Sequence, residues 1–244
     1  MNGKLVKALF KGSKKDPDIF EVVADAIVMG KPSLVRKVLL AHPELVNARH
    51  EAGHGRESDD STPLHFACTK GDVDMARLLL DYGADINARN RLGHTPLHVA
   101  VWAGQRNAME LLIGKGARLE TPSLVKRRTP LHDAVFQGNT EIIQLLLNRG
   151  AHVDPQNEDG ETPLHIACRL GREDIATLLL AAGASPDIKD VKGDTPLALA
   201  WKNDMEVVSA WYKVHHPDVC ELESARKEKE DQVDEEVRAG VGMC

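Results

Sequence analysis

The block Thr95-Pro96-Leu97-His98-Val99-Ala100 constrains this chain more than any other feature, because it recurs. Copies stand at Thr62-Pro63-Leu64-His65-Phe66-Ala67, Thr129-Pro130-Leu131-His132-Asp133-Ala134 and Thr162-Pro163-Leu164-His165-Ile166-Ala167. A weaker copy, Thr195-Pro196-Leu197-Ala198-Leu199-Ala200, closes the series. Successive threonines are 33, 34, 33 and 33 residues apart. A fixed period of this length means one supersecondary unit stacked repeatedly, each burying its apolar face only against its neighbours. The 244 residues therefore predict one elongated array, not two separate globules.

Each conserved step of the period has a mechanical role. The threonine hydroxyl suits a helix N-cap. The proline behind it occupies the first helical position, where a missing N–H costs nothing. Gly71, Gly104, Gly138 and Gly171 suit a left-handed helix end. The triplets Leu78-Leu79-Leu80, Leu111-Leu112-Ile113, Leu145-Leu146-Leu147 and Leu178-Leu179-Leu180 supply the packing stripe of a second helix. Gly83, Gly116, Gly150 and Gly183 stop it. Each unit reads as helix, tight turn, helix, hairpin.

The blocks, the Gly-Ala-Asp-Ile-Asn-Ala at 83–88 and the period together resemble the ankyrin-repeat family. The resemblance implies an all-α solenoid of about six repeats with β-hairpin loops. It covers 17–217, with repeats at 17–50, 58–90, 91–124, 125–157, 158–190 and 191–217. The first is degenerate: aligning Gly30 with Gly71 makes Leu45-Val46-Asn47-Ala48-Arg49 echo Asp85-Ile86-Asn87-Ala88-Arg89. The last is a cap, with Asp204 for the turn glycine and Ala210-Trp211-Tyr212 for the leucine triplet. Residues 1–16 carry Lys4, Lys7, Lys11, Lys14 and Lys15 and read as a capping segment or a basic contact arm. Residues 51–61 are a polar insertion, and 218–244 are a charged tail expected to be disordered. In this family the block histidine bonds to local backbone and to the capping threonine. Asn87 matches a hairpin asparagine that stabilises the turn and that asparaginyl hydroxylases can modify.

Several chemistries find no support. A net charge of −6 argues against a nucleic-acid partner. No apolar run reaches membrane-span length. Cys68, Cys168, Cys220 and Cys244 form no paired motif and read as reduced thiols. His65, His98, His132 and His165 stand one repeat apart and cannot converge on one metal ion. Phosphate-loop and nucleophile-elbow motifs are lacking. The chain is expected to be non-catalytic, to need no cofactor, to be monomeric and to act in the cytoplasm, the nucleus or both.

By resemblance, partners are proteins or peptides held by a concave groove and the hairpin tips. The residues just before each turn glycine face that groove: Lys70, Trp102, Phe136, Gln137, Arg169 and Leu170 among them. They vary where structural positions repeat. Trp102 and Phe136 predict an aromatic centre, with Lys70 and Arg169 as basic shoulders, suited to a peptide with an apolar anchor and acidic flanks. The bland alternative makes both aromatics satellite core. Arg89, Arg91, Lys126, Arg127 and Arg128 make the central tips basic, while Glu158, Asp159 and Glu161 make the next one acidic. Residues 121–128 form a specialised tip, one residue longer than the others. The readings are an interaction module, then a recruiting or inhibitory subunit of an enzyme complex such as a ubiquitin ligase, then an enzyme with an unrecognised site.

Overall fold

The computed structural model describes residues 19–49 and 60–215. The basic segment 1–16, most of the 51–61 insertion and the tail 218–244 lie outside the described residues. Twelve α-helices are described, in six antiparallel pairs. They are α1 (Ile19–Val28) with α2 (Pro32–Ala41), α3 (Pro63–Lys70) with α4 (Val73–Asp81), and α5 (Pro96–Trp102) with α6 (Arg106–Gly114). Then come α7 (Pro130–Gln137) with α8 (Thr140–Asn148), α9 (Pro163–Arg169) with α10 (Glu173–Ala181), and α11 (Pro196–Lys202) with α12 (Glu206–His215). A 3-10 turn, Pro43–Asn47, follows α2. The first helices stack on one another in chain order from α1 to α11.

The repeated block builds the first helix of every repeat but the first, α3, α5, α7, α9 and α11, and the histidine does more than cap. In all four blocks its Nδ1 accepts the threonine N–H at 3.1 Å and lies 2.8–2.9 Å from the hydroxyl. An accepting Nδ1 puts the proton on Nε2. Nε2–H then donates to a carbonyl of the next repeat: His65 to His94, His98 to Arg128, His132 to Glu161 and His165 to Asp194, at 3.0–3.3 Å. One neutral imidazole thus joins a helix cap to the following hairpin. Burial lowers the pKa of His98 to about 3 and of His132 to about 4. A second proton would face an N–H donor.

The second helices supply the core. The middle residue of each triplet, Leu79, Leu112, Leu146 and Leu179, is wholly buried, as are Met75, Met109, Ile142 and Ile175 beside them. Full burial of such side chains is worth roughly 1.5–3 kcal/mol each. Cys68 and Cys168 occupy the same core position in two repeats, and burial pushes both thiols up to about 12. The turn glycines adopt the left-handed conformation, and Asp204 replaces one at φ 53°. Tyr212 is buried at the last interface, its hydroxyl donating to Asp187 at 2.8 Å, and Trp211 packs, partly buried, against the core.

Polar side chains bridge successive hairpins. Asn47 accepts from the Asp85 N–H, Asn87 from Arg118, Glu120 from His152 and Asp154 from Ser185. The tips are joined by main-chain bonds, Leu124 N–H to Leu92 O, Glu158 to Lys126 and Val191 to Asp159, at 2.8–3.0 Å. They are turns, with no regular strand among the described residues.

Candidate functional site

Three of the variable positions before the turns, Phe136, Arg169 and Lys202, each meet the residue eight places earlier, at the base of the same hairpin. Arg128 sits over the Phe136 ring, its guanidinium carbon 4.7 Å from the centroid. Glu161 accepts from Arg169 at 2.9 Å, and Asp194 from Lys202 at 2.9 Å. In these three repeats the helix end and the hairpin base thus meet, flanking the groove that the sequence anticipates.

The centre of that groove is aromatic. Trp102, at the end of α5, is 42% exposed, and Phe136, at the end of α7, is 36% exposed. Their centroids are 6.2 Å apart with planes tilted by 52°, a geometry favoured by ring quadrupoles. The satellite-core alternative would hide both rings, whereas both remain partly exposed.

Asp133 holds the tryptophan, and it was not singled out as a site residue. Its carboxylate accepts the indole Nε1–H at 3.0 Å although the residue is only 2% exposed. Burial raises its pKa to about 6, against the Trp102 hydrogen bond and the positive charge of Arg128, which lower it. The equivalent residues in the other blocks are Phe66, Val99, Ile166 and Leu199. A carboxylate breaking that apolar series was the readable signal. The pairing to Trp102 was not readable, because 31 residues separate the two.

The other anticipated residues divide. Lys70 and Leu170 are exposed on the groove. Gln137 is half-buried and its amide donates to the Trp102 carbonyl at 3.0 Å, so it helps join α7 to α5. Arg169 is exposed, but Glu161 answers its charge, which weakens the picture of uncompensated basic shoulders. Glu161 itself is a correction: it is buried, bonded to Asn157 and Arg169, and not an acidic tip residue.

The basic trio at the long tip also separates. Lys126 pairs with Asp159 of the next tip at 3.1 Å, Arg127 is exposed, and Arg128 turns into the groove over Phe136. Arg89 donates to the Pro122 carbonyl at 2.7 Å and so joins two hairpins, while Arg91 is exposed. No group of three or more His, Cys, Asp or Glu among the described residues is placed to hold a metal. No described helix is long and apolar enough to cross a membrane.

Comparison with known proteins agrees with this architecture. A family described as ankyrin repeats (3 copies) matches residues 23–123 and 118–190. The crystal structure of the ankyrin repeat domain of Bcl-3, described as a unique member of the IkappaB protein family, superposes with a TM-score of 0.67. It is 30% identical, with 77% of this chain and 81% of that chain covered. The serine/threonine-protein kinase VIK of Arabidopsis thaliana is 42% identical over 82 residues, 34% of this chain and 17% of the kinase. A transient receptor potential cation channel subfamily A member 1 homolog of Caenorhabditis elegans is 34% identical over 101 residues, 41% of this chain and 8% of the channel. The chain thus spans less than a fifth of either curated relative. With the repeat matched over most of its length and the stacked helix pairs in place, this chain belongs to the ankyrin-repeat family.

Proposed function

We propose that the chain is a non-catalytic interaction module that captures a protein or peptide on the groove where α5 and α7 meet their hairpins. One observation carries the reading: two exposed aromatic rings from adjacent repeats are held side by side by groups buried beneath or packed beside them. Asp133 anchors the indole, and Arg128 covers part of Phe136. Large, rigid aromatic side chains bury much area with little loss of rotamer freedom, which makes them frequent binding hot spots. The stacking residues are periodic and consumed internally, and these two are neither.

The partner we infer has an apolar anchor that fills the space over the two rings. Lys70 at the edge favours a carboxylate near that anchor, with Arg169 a weaker contributor because Glu161 compensates it. We place the activity in the cytoplasm or nucleus, where the buried thiols of Cys68 and Cys168 stay reduced. Affinity capture with the full chain, followed by mass spectrometry, tests the proposal. The Trp102→Ala/Phe136→Ala variant should recover its partner about tenfold less well or worse, from the loss of two hot-spot rings. Unchanged recovery by a variant that remains folded would remove the groove from the account.

A further inference from the structure

The long tip carries a second feature, separate from the groove. Leu92, Leu124 and Val125 are 45%, 66% and 53% exposed. Loop tips are ordinarily built from small and polar residues. Here three large aliphatic side chains stand on two adjoining hairpins. The Leu124 N–H bonds to the Leu92 carbonyl at 2.8 Å, which fixes the two leucines side by side. Leu124 also lies across Gly93: a β-carbon there would come within 2.7 Å of the Leu124 Cγ. The glycine therefore leaves room for the leucine to lie flat against the neighbouring tip.

The backbone is arranged for this display. Three other described tips use an Asn or Asp side chain to accept two backbone N–H groups, and a glycine in the left-handed region: Asn90 with Gly93, Asn157 with Gly160, Asp190 with Gly193. At the long tip Ser123 takes the first role, accepting from the Arg128 N–H at 3.2 Å and donating to the Val125 carbonyl at 2.7 Å. The left-handed positions fall to Lys126 at φ 62° and Arg127 at φ 48°. Side chains this long adopt that region at a cost, and such strain gathers at functional surfaces. Val125 before these two residues and Arg127 itself are both exposed.

The charges around the patch are uneven. Arg91 and Arg127 are exposed beside it, and Arg89 lies beneath, donating to Pro122. The nearby acid, Asp159, is matched by Lys126, with Glu158 next to it on the following tip. We propose that Leu92, Leu124 and Val125, flanked by Arg91 and Arg127, are a docking surface for an acidic peptide segment of a partner protein carrying aliphatic anchors. The anchors cover the three side chains and the carboxylates meet the two arginines. This surface is distinct from the aromatic groove, so either can fail without the other.

Fluorescence anisotropy on the full chain tests it, with a short labelled peptide of alternating glutamate and leucine as the probe. Two control peptides replace its leucines with serine or its glutamates with lysine. The Glu-Leu peptide should bind, and both controls should bind roughly tenfold more weakly, as should the probe to Leu124→Ser/Val125→Ser. Arg127→Glu should weaken binding and flatten its salt dependence, and Trp102→Ala/Phe136→Ala should leave it unchanged. Thermal melting confirms that each variant stays folded; these positions are exposed. Equal affinity for the native chain and Leu124→Ser/Val125→Ser, or for the Glu-Leu and Lys-Leu peptides, would overturn the proposal. So would a concentration-dependent dimer in sedimentation that Leu124→Ser/Val125→Ser abolishes, which would assign the patch to a second copy of the chain.

Discussion

Acidification is predicted to loosen the stack well before ordinary carboxylates titrate. His98 and His132 are neutral donors in the fold, with pKa values near 3 and 4, against about 6.5 when unfolded. A folded pKa below the unfolded one favours protonation of the unfolded chain. The stability each histidine contributes is therefore complete above about pH 6.5 and is lost as pH falls towards the folded value. From about pH 7.5 to about pH 5, each forfeits about 2 kcal/mol, so the pair forfeits about 4 kcal/mol. His94 and His165 are shifted the same way by burial and add to the loss. Asp133 works in the opposite direction. Its raised pKa makes the ionised form costly in the fold, and acidification to about pH 5 relieves about 1.5 kcal/mol of that. Asp154, also raised, offsets a little more. The net is a loss of a few kcal/mol, a large part of a typical domain's stability. Urea unfolding followed by circular dichroism at the two pH values measures it directly. Equal or greater stability at the lower pH would refute the neutral-histidine bridge between repeats.

Two further substitutions separate stacking from recognition. Asp133→Asn keeps an oxygen for the Trp102 indole and removes a buried charge, so it should stabilise the chain at neutral pH by about 1–3 kcal/mol. That gain should shrink as pH falls through about 6, where the native carboxyl takes up its proton. Urea titration across that range checks both statements. Leu112→Ala, at a wholly buried position of α6, should cost about 2–5 kcal/mol in the same assay. At a temperature where this variant is folded, its partner affinity should match the native chain's.

The fold was legible because the stacking grammar is periodic. A threonine that caps, a histidine that bridges and a leucine that fills the core recur at one spacing. Two regions were less legible, for a shared reason: their side chains meet partners that no local pattern marks, some in the same repeat and some in the next. Arg128 reads as the third member of a basic run, yet it turns over Phe136. Glu161 reads as a tip acid, yet Asn157 and Arg169 draw it inside. Asp133 stands out of its apolar series, but its tie to Trp102 needs the geometry of two stacked repeats. The aliphatic trio at the tip was passed over because Leu92 lies 32 residues before Leu124, and only the bond between the hairpins brings them together. Trp102 and Phe136 were found because they are rare residues at a position where most repeats carry something else.

The most direct test of the whole account is hydrogen–deuterium exchange of the full chain, with and without a captured partner. Backbone amides at the C-terminal ends of α5 and α7 and in the adjoining hairpins should gain protection on binding, while the outer helices α4, α6, α8 and α10 should exchange as before. Protection gathered on those outer helices, with the ends of α5 and α7 unchanged, would contradict it.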